Sequence, residues 1–113
     1  MAGAFGFLAV ALGAFGAHAL RARLGVDGVE IWRTAVLYHL VHAAALLGIS
    51  LAADRLRAAT AVAWMFMLGM LFFSGSLYLL ALTGWRWLGP ITPLGGAAFL
   101  AGWLTLTLTG VRR

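Results

Sequence analysis

The sequence predicts an all-α integral membrane protein, a four-helix bundle running up-down-up-down. Hydrophobic residues fill 64% of its 113 positions and charged residues 10%, with a mean hydropathy of +1.01, where an average soluble domain is roughly 25% charged. The apolar residues fall into four runs, 3–20, 35–53, 60–83 and 93–109, none of which contains Asp, Glu, Lys or Arg. An 18-residue helix covers about 27 Å, close to the roughly 30 Å hydrocarbon core, so each run is read as a crossing. The runs are too long and unbroken for lipid-facing barrel strands. A single helical domain over 1–113 follows.

The first span carries Ala2, Gly6, Ala9, Gly13 and Gly16 at steps of four and three, a stripe along one side of a helix. Small residues let two backbones approach, so the stripe reads as a packing seam. Ala17, His18 and Ala19 have the look of a processing site. No basic residue precedes Arg21, so the span is expected to be retained. Between the first two spans, Val29, Ile31 and Trp32 alternate with Asp27, Glu30 and Arg33, which suits a short interfacial helix or a linker. Trp32, Trp85 and Trp87 are expected at one headgroup level and Trp64 at the other. Trp103, deep in the fourth span, is expected to pack. That span is expected to start with Thr92 as N-cap and Pro93 at the first helical position, with Gly95 and Gly96 baring the first turn. Ala98 and Gly102 repeat the small-residue spacing there.

Cysteine is absent, which excludes disulfides and thiolate chemistry, and all eight basic residues are arginine. The net charge of +5 is read as headgroup contact rather than nucleic-acid binding. Arg55, Arg57, Arg112 and Arg113 stand on one side against Arg21, Arg23, Arg33 and Arg86 on the other, so the positive-inside rule ties. Two arginines in a short loop and two after the last span favour cytoplasmic termini.

Function is sought in the polar residues within the spans. His18, Tyr38, His39, His42, Ser74, Ser76, Tyr78 and Thr92 all fall toward one side of the bundle, and ionisable groups at such depth are seldom accidental. Tyr38 and His42 are four apart and His39 and His42 three apart, so all three share a face of the second helix; Ser74 and Tyr78, four apart, share one of the third. Cross-helix hydrogen bonds, worth roughly 0.6 to 2 kcal/mol each, are the plain structural reading. Competing with it are a metal or haem site on His39 and His42, with His18 as a third ligand, and a proton or small-solute relay. A laterally entered lipid or quinone pocket anchored by His42 and Tyr78 asks for less. Hydrolysis by Ser and His has no nucleophile elbow in its support.

Gly13-Ala14-Phe15-Gly16-Ala17-His18-Ala19-Leu20, Thr34-Ala35-Val36 with Tyr38, His42 and Ala43, Phe73-Ser74-Gly75-Ser76-Leu77-Tyr78, Thr92-Pro93-Leu94-Gly95-Gly96 and Phe99-Leu100-Ala101-Gly102-Trp103 together resemble a family of small four-span membrane proteins. It is the domain-of-unknown-function 423 family, which includes transmembrane protein 256. The resemblance implies a bacterial inner-membrane location and supplies no activity, substrate or cofactor. It singles out His18, His42, Ser74, Ser76, Tyr78, Thr92, Pro93, Gly95 and Gly96. His39 departs from the family pattern, which often has glutamine there. The expectation is a non-catalytic binding, scaffold or accessory protein without a cofactor. Its expected partners are the bilayer, a second copy or a larger membrane complex, and a lipid-like or quinone ligand.

Overall fold

The computed structural model describes residues 2–18 and 21–111, without the side chains of Ala17, Arg21 and Ala22. Ala19, Leu20, Arg112 and Arg113 lie outside the described residues, and so do the expectations placed on them. Four main helices form: α1 Ala2–His18, α2 Arg21–Leu51, α3 Ala59–Thr83 and α4 Ile91–Thr109. Among the described residues, the stretches Arg23–Leu51, Ala59–Thr83 and Arg86–Thr109 are long and apolar enough to cross a bilayer. At 17 residues α1 spans about 25 Å, apolar but shorter. The segment expected to link the first two spans is itself helical, because Val29, Trp32 and Val36 continue the apolar stripe that faces α1. The one break is at Gly25, whose φ of 70° is open to glycine without strain.

Contacts along the helices run in opposite senses. Phe73, Gly69 and Phe66 of α3 meet Gly95, Phe99 and Gly102 of α4 in turn, and Trp32 and Val36 of α2 meet Gly16 and Gly13 of α1. Trp32 and His42 of α2 meet Tyr78 and Phe66 of α3 in the same opposed order, so each helix is antiparallel to its chain neighbour. Close backbone contact joins α1 to α2, α2 to α3 and α3 to α4, within a flattened Cα envelope of 52 × 26 × 16 Å. Gly84, with φ 72°, ends α3 by donating its N–H to Leu80 at 2.8 Å. At the far end Leu56 and Val111 bridge, and Arg57 N–H reaches the Gly110 carbonyl at 3.3 Å. The loop after α2 and the end of α4 thus share one side.

Glycines set how close these helices come. A Cβ on Gly95 would overlap the Phe73 backbone, one on Gly69 the Phe99 ring, and one on Gly102 would come within 2.6 Å of the Phe66 ring. On the α1 seam, a Cβ on Gly16 would collide with the Trp32 indole and one on Gly13 would stand 3.2 Å from Val36. Ala9 is fully buried in that seam, whereas Gly6 has no close neighbour and Ala98 is only half-buried. Trp32 corrects the headgroup expectation: it is buried and donates its indole N–H to the Leu12 carbonyl at 2.8 Å. Trp85, Trp87 and Trp64 are exposed, as interfacial residues are.

The middle of α3 is a π-helical stretch, Met70–Ser74, closed by the Gly75 N–H bonding to the Met70 carbonyl five residues back. The wider turn changes the facing of everything that follows it. Phe66 below it and Met70 at its start enter the apolar core with Leu46, Val62 and Phe99. Ser74 at its end and Tyr78 beyond it turn to α2, and Ser76 turns to α4.

Gly95→Ala is expected to lower stability by about 1–3 kcal/mol, because the added methyl meets backbone rather than a movable side chain. Gly96→Ala, whose Cβ would lie 3.9 Å from the Phe73 ring, is expected to be neutral or to gain up to ~1 kcal/mol of helix propensity. Thermal unfolding in detergent, followed by helical circular dichroism, compares the two.

Candidate functional site

The polar residues do not form one cluster. They sort by which helix faces them. His39 and His42 are three positions apart on α2, which turns them about 60° from each other around the helix, and that is enough to send them to different neighbours. The His39 ring is buried, with Nδ1 3.0 Å from the Tyr78 hydroxyl of α3 and its edge toward Phe5 of α1, ring centres 6.2 Å apart. His42 turns to α4, where its Nε2 accepts the indole N–H of Trp103 at 3.0 Å.

Its other ring nitrogen, Nδ1, lies 2.8 Å from the Tyr38 carbonyl. A carbonyl can only accept and an indole N–H can only donate, so these partners assign His42 as the neutral Nδ1–H tautomer. Both of its nitrogens are engaged. The ring is also clasped between aromatics, stacked on Phe99 with centres 3.6 Å apart and planes 12° apart, and set edge-on to Phe66 at 5.2 Å. Phe66 and Trp103 contact each other at 4.9 Å.

The hydroxyls complete three further ties. Ser74 donates to the Ala35 carbonyl at 2.8 Å, joining α3 to α2. The Ser76 hydroxyl lies 2.9 Å from the Phe73 carbonyl and 2.7 Å from the Thr92 hydroxyl, joining α3 to α4. Thr92 is therefore not the N-cap. α4 begins at Ile91 with Pro90 as its capping residue, and Thr92, one position inside, spends its hydroxyl on Ser76. The bare side of Gly95 is filled by the Phe73 backbone. His18, at the end of α1, is exposed and stands apart.

Of the intramembrane hydroxyls in this polar set, the Tyr38 phenol is the one left over among the described residues. Tyr38 is 41% exposed, and among the described residues no group hydrogen-bonds to its phenol oxygen. Its ring packs on Phe73 at 4.6 Å and forms one wall of a groove of about 460 Å³ between α2 and α4. His42, Phe73, Phe99, Leu100 and Trp103 line the rest, and Pro93 and Gly96 close its end near the start of α4. The groove lies over α3 and opens sideways. Among the described residues no group of three or more His, Asp or Glu side chains is placed to hold a metal ion. His39, His42 and His18, weighed as ligands from their spacing, do not converge.

Phe99 and Trp103 are the site residues that sequence reasoning underrated. Their spacing of four on one face of α4, in step with Gly95, is the signal that was present.

Architecture and site together define a small polytopic membrane protein of four helices, its buried polar groups paired off between helices. The family profile described as "Protein of unknown function (DUF423)" matches residues 12–96, and the chain belongs to that family. It is 42% identical to the UPF0382 membrane protein YwdK of Bacillus subtilis (strain 168), over 93% of this chain and 88% of the relative. It is 41% identical to the UPF0382 inner membrane protein YgdD of Escherichia coli (strain K12), over 95% of this chain and 83% of the relative. No solved structure matches the chain.

A double-mutant cycle on His39 and Tyr78 is expected to give a coupling of roughly 0.6 kcal/mol, with about 1.7 as its ceiling, the range for hydrogen bonds within membranes. The cycle on His42 and Tyr78 is expected to give none. Unfolding free energies of Tyr78→Phe, His39→Ala, His42→Ala and the two double variants measure both.

Proposed function

We propose that this inner-membrane family member is a non-catalytic binding protein, an accessory subunit that holds a lipid with a flat, carbonyl-bearing head, the chemistry of an isoprenoid quinone. The groove between α2 and α4 carries this reading. Its walls are aromatic rings and aliphatic side chains, which suit a planar head and an isoprenoid tail. Its uncommitted polar group is a single donor, the Tyr38 hydroxyl, placed for one carbonyl oxygen. His42 serves as wall rather than as base or ligand, because both its nitrogens are held by Tyr38 and Trp103. A relay would need a continuous chain of exchanging partners, and the hydrogen bonds here form short, separate groups, those of His42, Ser74 and Ser76 ending on a backbone carbonyl. The anchor is accordingly Tyr38 and not the His42 and Tyr78 pair. Tyr78 is engaged with His39 at a different interface.

Protein released in mild detergent and extracted with organic solvent is expected to yield prenylated quinone near one per chain. Tyr38→Phe and Gly96→Leu are expected to lower that content several-fold, and Tyr78→Phe to leave it unchanged. A wild-type content no higher than that of an unrelated membrane protein from the same preparation refutes the assignment.

We also propose that the termini and the loop 52–58 face the cytoplasm, with the turn between α3 and α4 outside. Arg55 and Arg57 lie close together in that loop, and such short-loop arginines are retained inside. The chain has no cysteine, so single introduced thiols report cleanly. In intact cells a membrane-impermeant maleimide is expected to label Gly89→Cys and to spare Asp54→Cys; the reverse pattern inverts the topology.

A further inference from the structure

A second groove runs along the seam between α1 and α2, apart from the cleft facing α4. Gly13 and Gly16 of α1 form one side, Val36 and Leu40 of α2 line the other, and Arg33 stands at one end, with a volume of about 310 Å³. From Arg33 to Leu40 is seven residues, about 10 Å of helix. The groove therefore leads from a cation into the apolar zone, with no further charged side chain along it among the described residues.

A second crease, of about 300 Å³, meets the first at Val29 and Arg33 and extends over Gly25, Val26 and Glu30. The helix break at Gly25 lies in its lining. Arg33 has one acidic neighbour among the described residues, Glu30, with nitrogen and oxygen 4.0 Å apart and the two side chains 71% and 70% exposed. So loose and exposed a pair holds the guanidinium weakly, and its donors face outward.

We propose that these joined grooves are a binding site for an anionic glycerophospholipid. Its phosphate sits on Arg33, its headgroup in the crease beside Gly25, and one acyl chain in the groove from Gly13 to Leu40. Charge complementarity selects the occupant: a cation at the mouth of a hydrocarbon-lined channel matches a molecule with an anion at one end and an alkyl chain beyond it. A planar guanidinium fork binds phosphate oxygens in pairs, which an ammonium does not. The site is independent of the quinone reading, since the two grooves share no lining residue.

Native mass spectrometry of the delipidated full chain in detergent, titrated with phosphatidylglycerol or phosphatidylcholine of equal chain length, tests the site. The wild type is expected to bind phosphatidylglycerol more tightly, and Arg33→Ala to weaken it roughly fivefold to tenfold. Arg33→Lys is expected to recover part of that loss, and Glu30→Gln to tighten binding. Leu40→Trp, which fills the channel while leaving the cation, is expected to weaken both lipids. Arg86→Ala removes a charge that lies outside the groove, and it is expected to leave binding unchanged. An equal loss in Arg86→Ala and Arg33→Ala would mean diffuse attraction and no site. Glycerol phosphate binding as well as the lipid would remove the acyl groove from the proposal, and with it the proposal.

Discussion

The distance between α3 and α4 governs the rest of the structure. In hydrocarbon there is no water to drive helices together, so association rests on dispersion between closely packed surfaces. Three glycines permit the approach: Gly69 receives the Phe99 ring, Gly102 the Phe66 ring and Gly95 the backbone at Phe73. The alternation of glycine and aromatic down both helices is a register lock. Sliding one helix by a single residue would bring each ring against a neighbouring Cβ. With register held, Phe99 and Trp103 face α2 at the level of His42, and the aromatic groove has walls.

The second constraint is that every polar group must find a partner inside the protein. No buried side-chain nitrogen or oxygen among the described residues lacks one. Each of the ties Ser74 to Ala35, His39 to Tyr78, Ser76 to Thr92 and His42 to Trp103 links a different part of the helix layer. The last is the only one of these joining α2 to α4, whose backbones are not in close contact. The π-helical turn at Met70–Ser74 makes this division feasible, because it rotates Ser74 and Ser76 away from the apolar register of Phe66 and Met70.

The spans were legible because hydropathy reports the solvent directly: 60–83 and 93–109 match α3 and α4 within two residues at each end. The partners of the polar residues were not. Spacing of three or four places His39 and His42 on one broad face, yet the face is shared between two neighbours, and only the angle of helix packing assigns each ring. Trp32 was misread because aromatic residues near span ends usually mark the headgroups; the slot that buries it is made by Gly16, sixteen positions away. Thr92 before Pro93 carries a cap signature, but Pro90, with φ −64°, is equally suited to start the helix two residues earlier. Gly69 passed unnoticed because its partner, Phe99, lies on another helix and no local pattern points to it.

α2 is the common wall of both proposed grooves, and its contacts differ along its length. Near Tyr38 and His42 it is bonded to α3 and α4 and stacked against Phe99, so that part cannot shift without breaking several ties at once. Toward Arg33 it packs on α1, which touches no other helix closely among the described residues, while Trp32 and Ala35 still meet Tyr78 and Ser74 of α3; beyond that lies the break at Gly25. A lipid seated at Arg33 would fill the groove beside the α1–α2 seam, where α1 has only α2 as a close neighbour among the described residues. A head bound at Tyr38 would meet walls already fixed by the glycine register of α3 and α4, and so would cost little ordering of the protein.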